Sequence, residues 1–175
     1  MGFLIFIYKK VDMARRISNY VSYKEVIYSE TAIRKGIDNT PNEEQIKRII
    51  LLANKLFDPL RVWCGGRVKI NSVFRSKRLN ELIGGSRSSQ HMANKGAAID
   101  IDDNYGNKTN LEMFHYIKDN LEFDQLIAEF PVDGQPSWIH ASYNEGNNRG
   151  NVLIATKLNG RTKYVLYEGN ESLLG

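Results

Sequence analysis

Cysteine is almost absent from this sequence, and its scarcity excludes several kinds of site. The single cysteine, Cys64, permits neither an intrachain disulfide nor a cysteine-rich zinc site. No histidine or cluster of cationic residues adjoins it, so nothing in the nearby sequence would activate the thiol. We therefore expect Cys64 to be a buried structural residue in a protein that is synthesised in a reducing cytosol.

Long hydrophobic runs are also missing. The apolar stretch at residues 3–8 is far shorter than the ~20 residues that a membrane-spanning helix needs. It also lacks the order of a secretory signal, in which positive charges come first. We interpret residues 1–12 as a leader of undefined role and residues 13–175 as one domain, and we expect no membrane span.

Charge of one sign is not concentrated in any segment. No run of lysine and arginine is long enough to form a nucleic-acid-binding arm. The net charge of +4 suits an anionic partner, either nucleic acid or bacterial wall polymer, but equally an ordinary solvated surface. Aromatic residues are not interleaved with clustered basic residues, as they are in single-strand binders, so we expect no nucleic-acid partner.

The sequence does contain clear helical and extended patterns. A capping box formed by Thr40 and Glu43, with Pro41 at the first helical position, predicts a helix with one apolar face. We expect Pro59 to bend or break that helix near its end. Alternation and turn signals predict strands over 67–74, 97–102, 124–130 and 138–143, helices over 23–29, 77–83 and 109–121, and a hairpin of 151–157 with 162–167 around Asn159-Gly160. The expected fold is α+β, with N-terminal helices packed on a largely antiparallel sheet.

Two of the three histidines lie in segments rich in other polar groups. His91 is followed nine residues later by Asp100, which lies in an otherwise apolar strand where a carboxylate is costly to bury without a partner or a cation. His140 lies on another half-buried strand. Two histidines and one carboxylate, with an open fourth position, form a known catalytic zinc set. Ordinary core or surface roles remain open for each residue taken alone, and His115, in the middle of a predicted helix, is assigned no role.

Three motifs carry a family resemblance. Residues 89–101, SQHMANKGAAIDI, resemble the Ser-x-His and Gly-x-Ala-x-Asp signature of the zinc D-alanyl-D-alanine carboxypeptidases. That family includes phage endolysin peptidases and vancomycin-resistance dipeptidases, and its fold resembles the hedgehog signalling domain. Residues 136–143, PSWIHASY, resemble its Trp-x-His-x-Ser segment, and residues 72–80 its Ser-Gly-Tyr-Arg-Ser and Leu-Asn element. The family leaves six residues between the first histidine and the aspartate where this chain leaves eight, and we expect the loop at 92–95 to absorb the extra pair.

The resemblance implies a metal site and a substrate contact. His91, Asp100 and His140 would bind one Zn²⁺ per chain. Arg75 would bind a substrate carbonyl or carboxylate and stabilise the oxyanion formed as water attacks; a surface charge at a strand end is the alternative.

The resemblance leaves the remaining roles less closely defined. Glu129 is the expected general base, with Asp133, nearer to His140 in sequence, as the alternative. Ser89 and Trp138 are expected substrate contacts, with loop capping and core packing as their respective alternatives.

Together these features predict a zinc peptidase that cuts a peptidoglycan stem peptide. It would be made in the bacterial cytoplasm and act at the cell wall or periplasm, as a phage lysis protein, a virion component with virion or lysis-system partners, or a bacterial wall-remodelling enzyme. The bond cut stays open between D-Ala-D-Ala, L-Ala-D-Glu and a cross-bridge. The alternative is a non-catalytic zinc-binding or wall-binding module of a phage virion.

Overall fold

The computed structural model describes residues 15–169, so the predicted leader at residues 1–12 lies outside it. Helices come first and most strands come last. The elements in chain order are α1 (Tyr23–Ile27), α2 (Glu30–Lys35), α3 (Glu43–Leu52), a π-helical turn (Ala53–Phe57), α4 (Asp58–Trp63), β1 (Lys69–Ser72), α5 (Lys77–Leu82), a 3-10 turn (Gln90–Met92), β2 (Ala97–Asp102), α6 (Asn110–Asn120), β3 (Gln125–Glu129), β4 (Trp138–Tyr143), β5 (Asn151–Leu158) and β6 (Arg161–Leu166).

The six strands form one sheet in the order β1-β2-β4-β3-β5-β6. Four of its neighbouring pairs are antiparallel, and β3 pairs with β5 in parallel. The predicted α+β class with a largely antiparallel sheet is therefore confirmed. Among the residues described, no helix is long and apolar enough to cross a membrane.

The two faces of the sheet differ sharply in chemistry. Helices α3 and α6 pack on β2, β3 and β4, and the side chains that face them are buried and apolar, among them Ile99, Leu126 and Ile139. Because successive side chains of a strand point to opposite faces, the residues between these point away from the core. We call that second face the polar face; it carries Asp100 of β2, Glu129 of β3 and His140 of β4.

The long N-terminal helix differs from prediction at its start. Asn42, not Thr40, is the N-cap: its side chain accepts from the backbone N–H of Gln45, and the Gln45 side chain accepts from the N–H of Asn42. The predicted Thr40–Glu43 box is wrong, and Pro41 lies before the cap. Two capping patterns overlap in the sequence, and the fold uses the second one.

The prediction of a break at Pro59 is also wrong. The helix widens into the π-helical turn before the proline and continues as α4, with Pro59 in the first turn of that segment. Proline has no N–H to donate inside a helix, and the wider turn directly before Pro59 is where the helix departs from α geometry.

Two smaller expectations are confirmed. Asn159 and Gly160 both adopt positive φ, 50° and 75°, as a tight hairpin turn requires, and they join β5 to β6. Cys64 is buried, and burial raises its thiol pKa to about 11. A thiol with so high a pKa stays protonated and is a poor nucleophile.

Candidate active site

Three side chains from separate parts of the chain meet on the polar face. Asp100 and His140 are directly opposite one another across the antiparallel β2–β4 pair, and His91 reaches them from the 3-10 turn. The His140 Nδ1 atom lies 2.9 Å from Asp100 Oδ1. The His91 Nε2 atom lies 3.1 Å from the same oxygen and 3.2 Å from His140 Nδ1. All three residues are buried.

Contacts from several elements fix the position of His91. Its Nδ1–H donates to the carbonyl oxygen of Val73 at 2.7 Å, which leaves the Nε2 lone pair directed at the cluster. The backbone N–H of Arg75 donates to the His91 carbonyl at 3.0 Å. Such outer contacts are what orient a histidine that binds a metal.

The loop after His91 is where we expect the two residues that the family pattern lacks, and that placement stays a prediction. Ala93 adopts a positive φ of 53° there. Gln45 of α3 donates to the carbonyl of Met92 at 2.9 Å, and Arg48 donates to the carbonyl of Ala93 at 3.2 Å. Helix α3 therefore anchors the loop that follows His91.

A buried carboxylate, Asp124, also contacts the 3-10 turn that carries His91. Asp124 is 1% exposed and accepts hydrogen bonds from the Gln90 side chain at 2.7 Å and from the Arg149 side chain at 2.6 and 2.9 Å. Burial alone would raise the pKa of Asp124. The hydrogen bonds from Arg149 and Gln90 together outweigh burial and hold that pKa below its usual value. Residue 90 adjoins His91, so the hydrogen bond from Gln90 to Asp124 ties this turn to the start of β3.

The electrostatics of the cluster suit a bound cation. Burial lowers the pKa of His91 and favours its neutral form. Burial alone would raise the pKa of Asp100, but the neighbouring His91 and His140 side chains outweigh it and hold that pKa well below its usual range. An ionised carboxylate thus faces imidazole nitrogens at about 3 Å, an arrangement that a positive charge stabilises.

The donor set also fits a zinc ion in size. In a tetrahedral site with bonds of about 2.0–2.2 Å, neighbouring ligand atoms lie roughly 3.3–3.6 Å apart. The three distances of 2.9, 3.1 and 3.2 Å are slightly shorter than that spacing. His91, Asp100 and His140 are also the one group of three or more potential metal ligands found within residues 15–169. Their assignment as zinc ligands stays a prediction.

Arg75 lies beside the metal-binding cluster. Its guanidinium donates to the second oxygen of Asp100, Oδ2, at 2.6 Å and to the Ser72 hydroxyl at 3.0 Å. The side chain is 23% exposed, so part of the guanidinium remains accessible from solvent. The structure therefore fixes Arg75 next to the cluster, and its predicted role toward substrate is untested.

The two candidate bases lie in different environments. Glu129 ends β3 on the polar face and is 8% exposed. Burial raises its pKa to about 7, with the negative charge of Asp100 adding to the effect and His140 and Arg75 opposing it. Asp133 lies at an exposed turn between β3 and β4, with a positive φ of 49°. Glu129 is thus the carboxylate that shares a face with the cluster.

The two predicted substrate contacts, Ser89 and Trp138, lie at different elements. Trp138 is opposite Glu129 in the β3–β4 pair, and its ring packs against Phe130 at 5.3 Å, outside the buried core. Ser89 precedes the 3-10 turn, but its side chain makes no capping hydrogen bond there. The core-packing alternative for Trp138 and the loop-capping alternative for Ser89 therefore lose support.

Sequence reasoning missed Tyr164. It lies opposite Ala155 in the β5–β6 pair, and Ala155 lies opposite Glu129 in the β3–β5 pair. Trp138, Glu129, Ala155 and Tyr164 thus form one row across the polar face. Burial raises the pKa of Tyr164, as do the negative charges of Glu129 and Asp100. The hairpin itself was predictable, but the parallel pairing that places this tyrosine was not.

A cluster of two histidines and one aspartate, with a buried glutamate on the same face of the sheet, has the components of a metal-dependent hydrolase. Comparison with known families agrees, because residues 19–141 match the model of the family Peptidase M15. The match covers more than half of the chain, and the chain belongs to this family of metal-dependent peptidases. The family resemblance in the sequence is therefore confirmed. No curated protein matches the sequence.

Proposed function

We propose that this protein is a zinc peptidase that hydrolyses a peptide bond in the stem peptide of bacterial peptidoglycan. The observation that carries the proposal is the meeting of His91, Asp100 and His140 inside the segment that matches the peptidase family. The stem peptide as substrate comes from the family resemblance. The protein would be made in the bacterial cytoplasm and act at the cell wall, alone or within a virion or lysis system.

In this proposal His91 Nε2, His140 Nδ1 and Asp100 Oδ1 hold the metal. When bound, zinc supplies Lewis acidity, which acidifies water and polarises a carbonyl group. The hydrogen bond from His91 to Val73 keeps that imidazole in the tautomer that can bind. Arg75, through its bond to Asp100 Oδ2, holds the carboxylate so that Oδ1 points into the cluster.

Glu129 supplies the proton transfer. As a carboxylate it accepts a proton from the attacking water, and as a carboxylic acid it returns that proton to the leaving amine. A pKa of about 7 suits both steps, because neither the acid nor the base form is then strongly disfavoured near neutral pH. The accessible part of the Arg75 guanidinium stabilises negative charge that develops on the substrate carbonyl oxygen.

The test combines zinc content with digestion of purified peptidoglycan followed by mass spectrometry. The wild-type chain is expected to hold about one zinc ion and to release stem-peptide fragments, whose masses identify the bond. His140→Ala should lose both. His115→Gln, which changes the histidine on α6, is the matched control and should keep both.

Three results would count against the proposal. Zinc at about one ion per chain without cleavage of any wall preparation would favour the non-catalytic module. Absence of zinc from active wild-type protein would show that the zinc assignment is wrong. Equal losses of zinc and cleavage in His140→Ala and His115→Gln would show that the effect comes from folding rather than from the cluster.

A further inference from the structure

A second concave surface lies near β1, at the sheet edge opposite β6. This groove has a volume of about 230 Å³, and we call it the basic groove. Four cationic side chains and two tyrosines from separate segments line it, with Glu25 as the one acidic residue in its lining. The cations and tyrosines are Arg16, Arg61, Arg67, Lys69, Tyr20 and Tyr105.

Two of the arginines are held in place by the tyrosines. The guanidinium carbon of Arg61 lies 5.1 Å from the ring centre of Tyr20, and that of Arg67 lies 4.5 Å from the ring centre of Tyr105. An arginine stacked on a ring keeps its N–H donors free at the edge of the guanidinium plane. Within residues 15–169, neither guanidinium forms an ion pair, and no hydrogen bond from either is seen.

The backbone at Arg67 is fixed as well. The Asn107 side chain donates to the Arg67 carbonyl at 2.8 Å. A Cβ atom on Gly66 would lie only 2.0 Å from that same side chain, so the close approach requires glycine. The loop at 65–68 and the loop after β2 are therefore locked together, and they hold Arg67 and Tyr105 in register.

The nearby acids do not neutralise these cations. Glu25 accepts from the backbone N–H and the hydroxyl of Ser22 at 2.8 and 2.6 Å, so it caps α1. Asp58 is buried and accepts from the Ser18 hydroxyl and the Asn19 backbone N–H. Both carboxylates accept from neutral hydroxyl and N–H groups and, in the part of the chain that the structure describes, form no ion pair with the arginines. The four cations in the lining outnumber these acids, so the groove has an excess of positive charge.

We propose that the basic groove binds a phosphodiester-linked polymer of the bacterial cell wall, of the polyol phosphate class. Stacked guanidiniums present paired donors that match the oxygens of a phosphate, and several cations in one groove suit a ligand with repeated charges. Placing the protein at the wall rests on the proposed function. Such binding would hold the enzyme on its substrate while the polar face of the sheet engages a stem peptide.

Single-stranded nucleic acid is the competing polyanion. Its binding relies on aromatic rings that are open for bases to stack on. In the basic groove one face of each tyrosine ring already holds a guanidinium. The structure therefore favours a ligand that has phosphates but no bases.

The test measures binding of a fluorescent glycerol phosphate oligomer to the full chain in EDTA, so that it does not depend on zinc or cleavage. Arg61→Gln/Arg67→Gln should weaken binding by about tenfold or more and reduce its salt dependence. Arg161→Gln/Lys163→Gln is the matched control, since it removes the same charge from exposed residues on β6 at the opposite sheet edge. It should change the affinity by less than about twofold.

Charge-preserving substitution separates a built site from general attraction. Arg61→Lys/Arg67→Lys should bind about threefold or more weakly than wild type, because lysine lacks the paired donors; it also serves if the glutamine variant fails to fold. Equal weakening by the two glutamine pairs, full affinity in the lysine variant, or no binding by wild type would overturn the proposal. Tighter binding of an oligodeoxynucleotide of equal charge would assign the groove to nucleic acid instead.

Discussion

The two faces of the central sheet differ in what their buried side chains do. On the core face, Ile99, Leu126 and Ile139 meet the helices and exclude water, which stabilises the fold. On the polar face, Asp100 and His140 are buried polar groups, and the cost of their burial is offset by the side chains of the cluster and by Arg75. Neighbouring residues of one strand thus serve different ends: residue 139 maintains the structure, whereas residue 140 belongs to the proposed chemistry. Substitutions on the two faces should therefore separate stability from activity.

The largest effect is expected from Glu129→Gln on the polar face. The substitution keeps the shape of the side chain but removes the proton acceptor, so cleavage should fall by roughly 10²–10⁴-fold. Zinc content should stay unchanged, because Glu129 is not among the proposed ligands. Digestion rates and metal content, measured together, check this.

Glu122→Gln is the control for that experiment, since Glu122 is an exposed acid just before β3. It should leave the digestion rate at the wild-type level. If Glu129→Gln retains activity and Asp133→Asn loses it, the base is Asp133 and our preference for the buried glutamate is wrong.

The next largest effect belongs to the core face. Ile139 is fully buried, and Ile139→Ala should lower the free energy of unfolding by about 2–5 kcal/mol through the cavity it leaves. Urea denaturation measures this loss. Leu166→Ala, at an exposed residue of β6, should change stability by less than about 0.5 kcal/mol.

Activity per folded molecule should survive Ile139→Ala, because the side chain points away from the proposed metal ligands. A drop in cleavage larger than the loss of folded protein would show that the two faces are coupled. Stability and activity would then not be separable between the two faces where β2 and β4 pair.

A comparable effect should appear in the pH dependence of stability. The pKa of Glu129 is about 7 in the folded chain against an ordinary value of 4.5. Between these values the unfolded chain has lost the proton that the folded chain retains, so stability falls as pH rises. The full difference amounts to about 3 kcal/mol.

Glu129→Gln should remove this contribution to the pH dependence of stability. In EDTA, the variant should therefore gain stability relative to wild type between pH 4.5 and 7.5, by up to about 3 kcal/mol. Urea denaturation at both pH values gives the difference. If the difference in free energy of unfolding between the two proteins stays the same across that range, Glu129 is already ionised in the folded state.

The sequence allowed much of the fold to be predicted, because helix caps and strand alternation are local signals. Strands β2 and β4 were expected with nearly their observed bounds, and so was the hairpin at Asn159-Gly160. The start of helix α3 was predicted at the wrong cap because two capping patterns overlap within the six residues 40–45, and only tertiary packing chooses between them. The helix likewise continues past Pro59 through a π-helical turn, which no local sequence pattern predicts.

The candidate site divides in the same way. His91, Asp100 and His140 were found through motifs that lie along the chain. The bond from Arg75 to Asp100 and the ion pair between Asp124 and Arg149 join residues 25 apart in sequence, without a motif to link them. The basic groove was missed because its arginines and tyrosines come from segments that only the fold brings together.

The smallest effect is expected at Tyr164, which lies outside the segment that matches the family. Its raised pKa keeps the hydroxyl protonated at neutral pH, so it can donate to a substrate carbonyl above Glu129. Tyr164→Phe should raise KM by about two- to tenfold with little change in kcat, as expected for one neutral hydrogen bond of roughly 0.5–1.5 kcal/mol. Thr162→Val, which removes a hydroxyl two residues away on β6, is the control and should leave KM unchanged. If Tyr164→Phe lowers kcat instead, the tyrosine contributes to the chemical step, and the hairpin belongs to the catalytic part of the polar face.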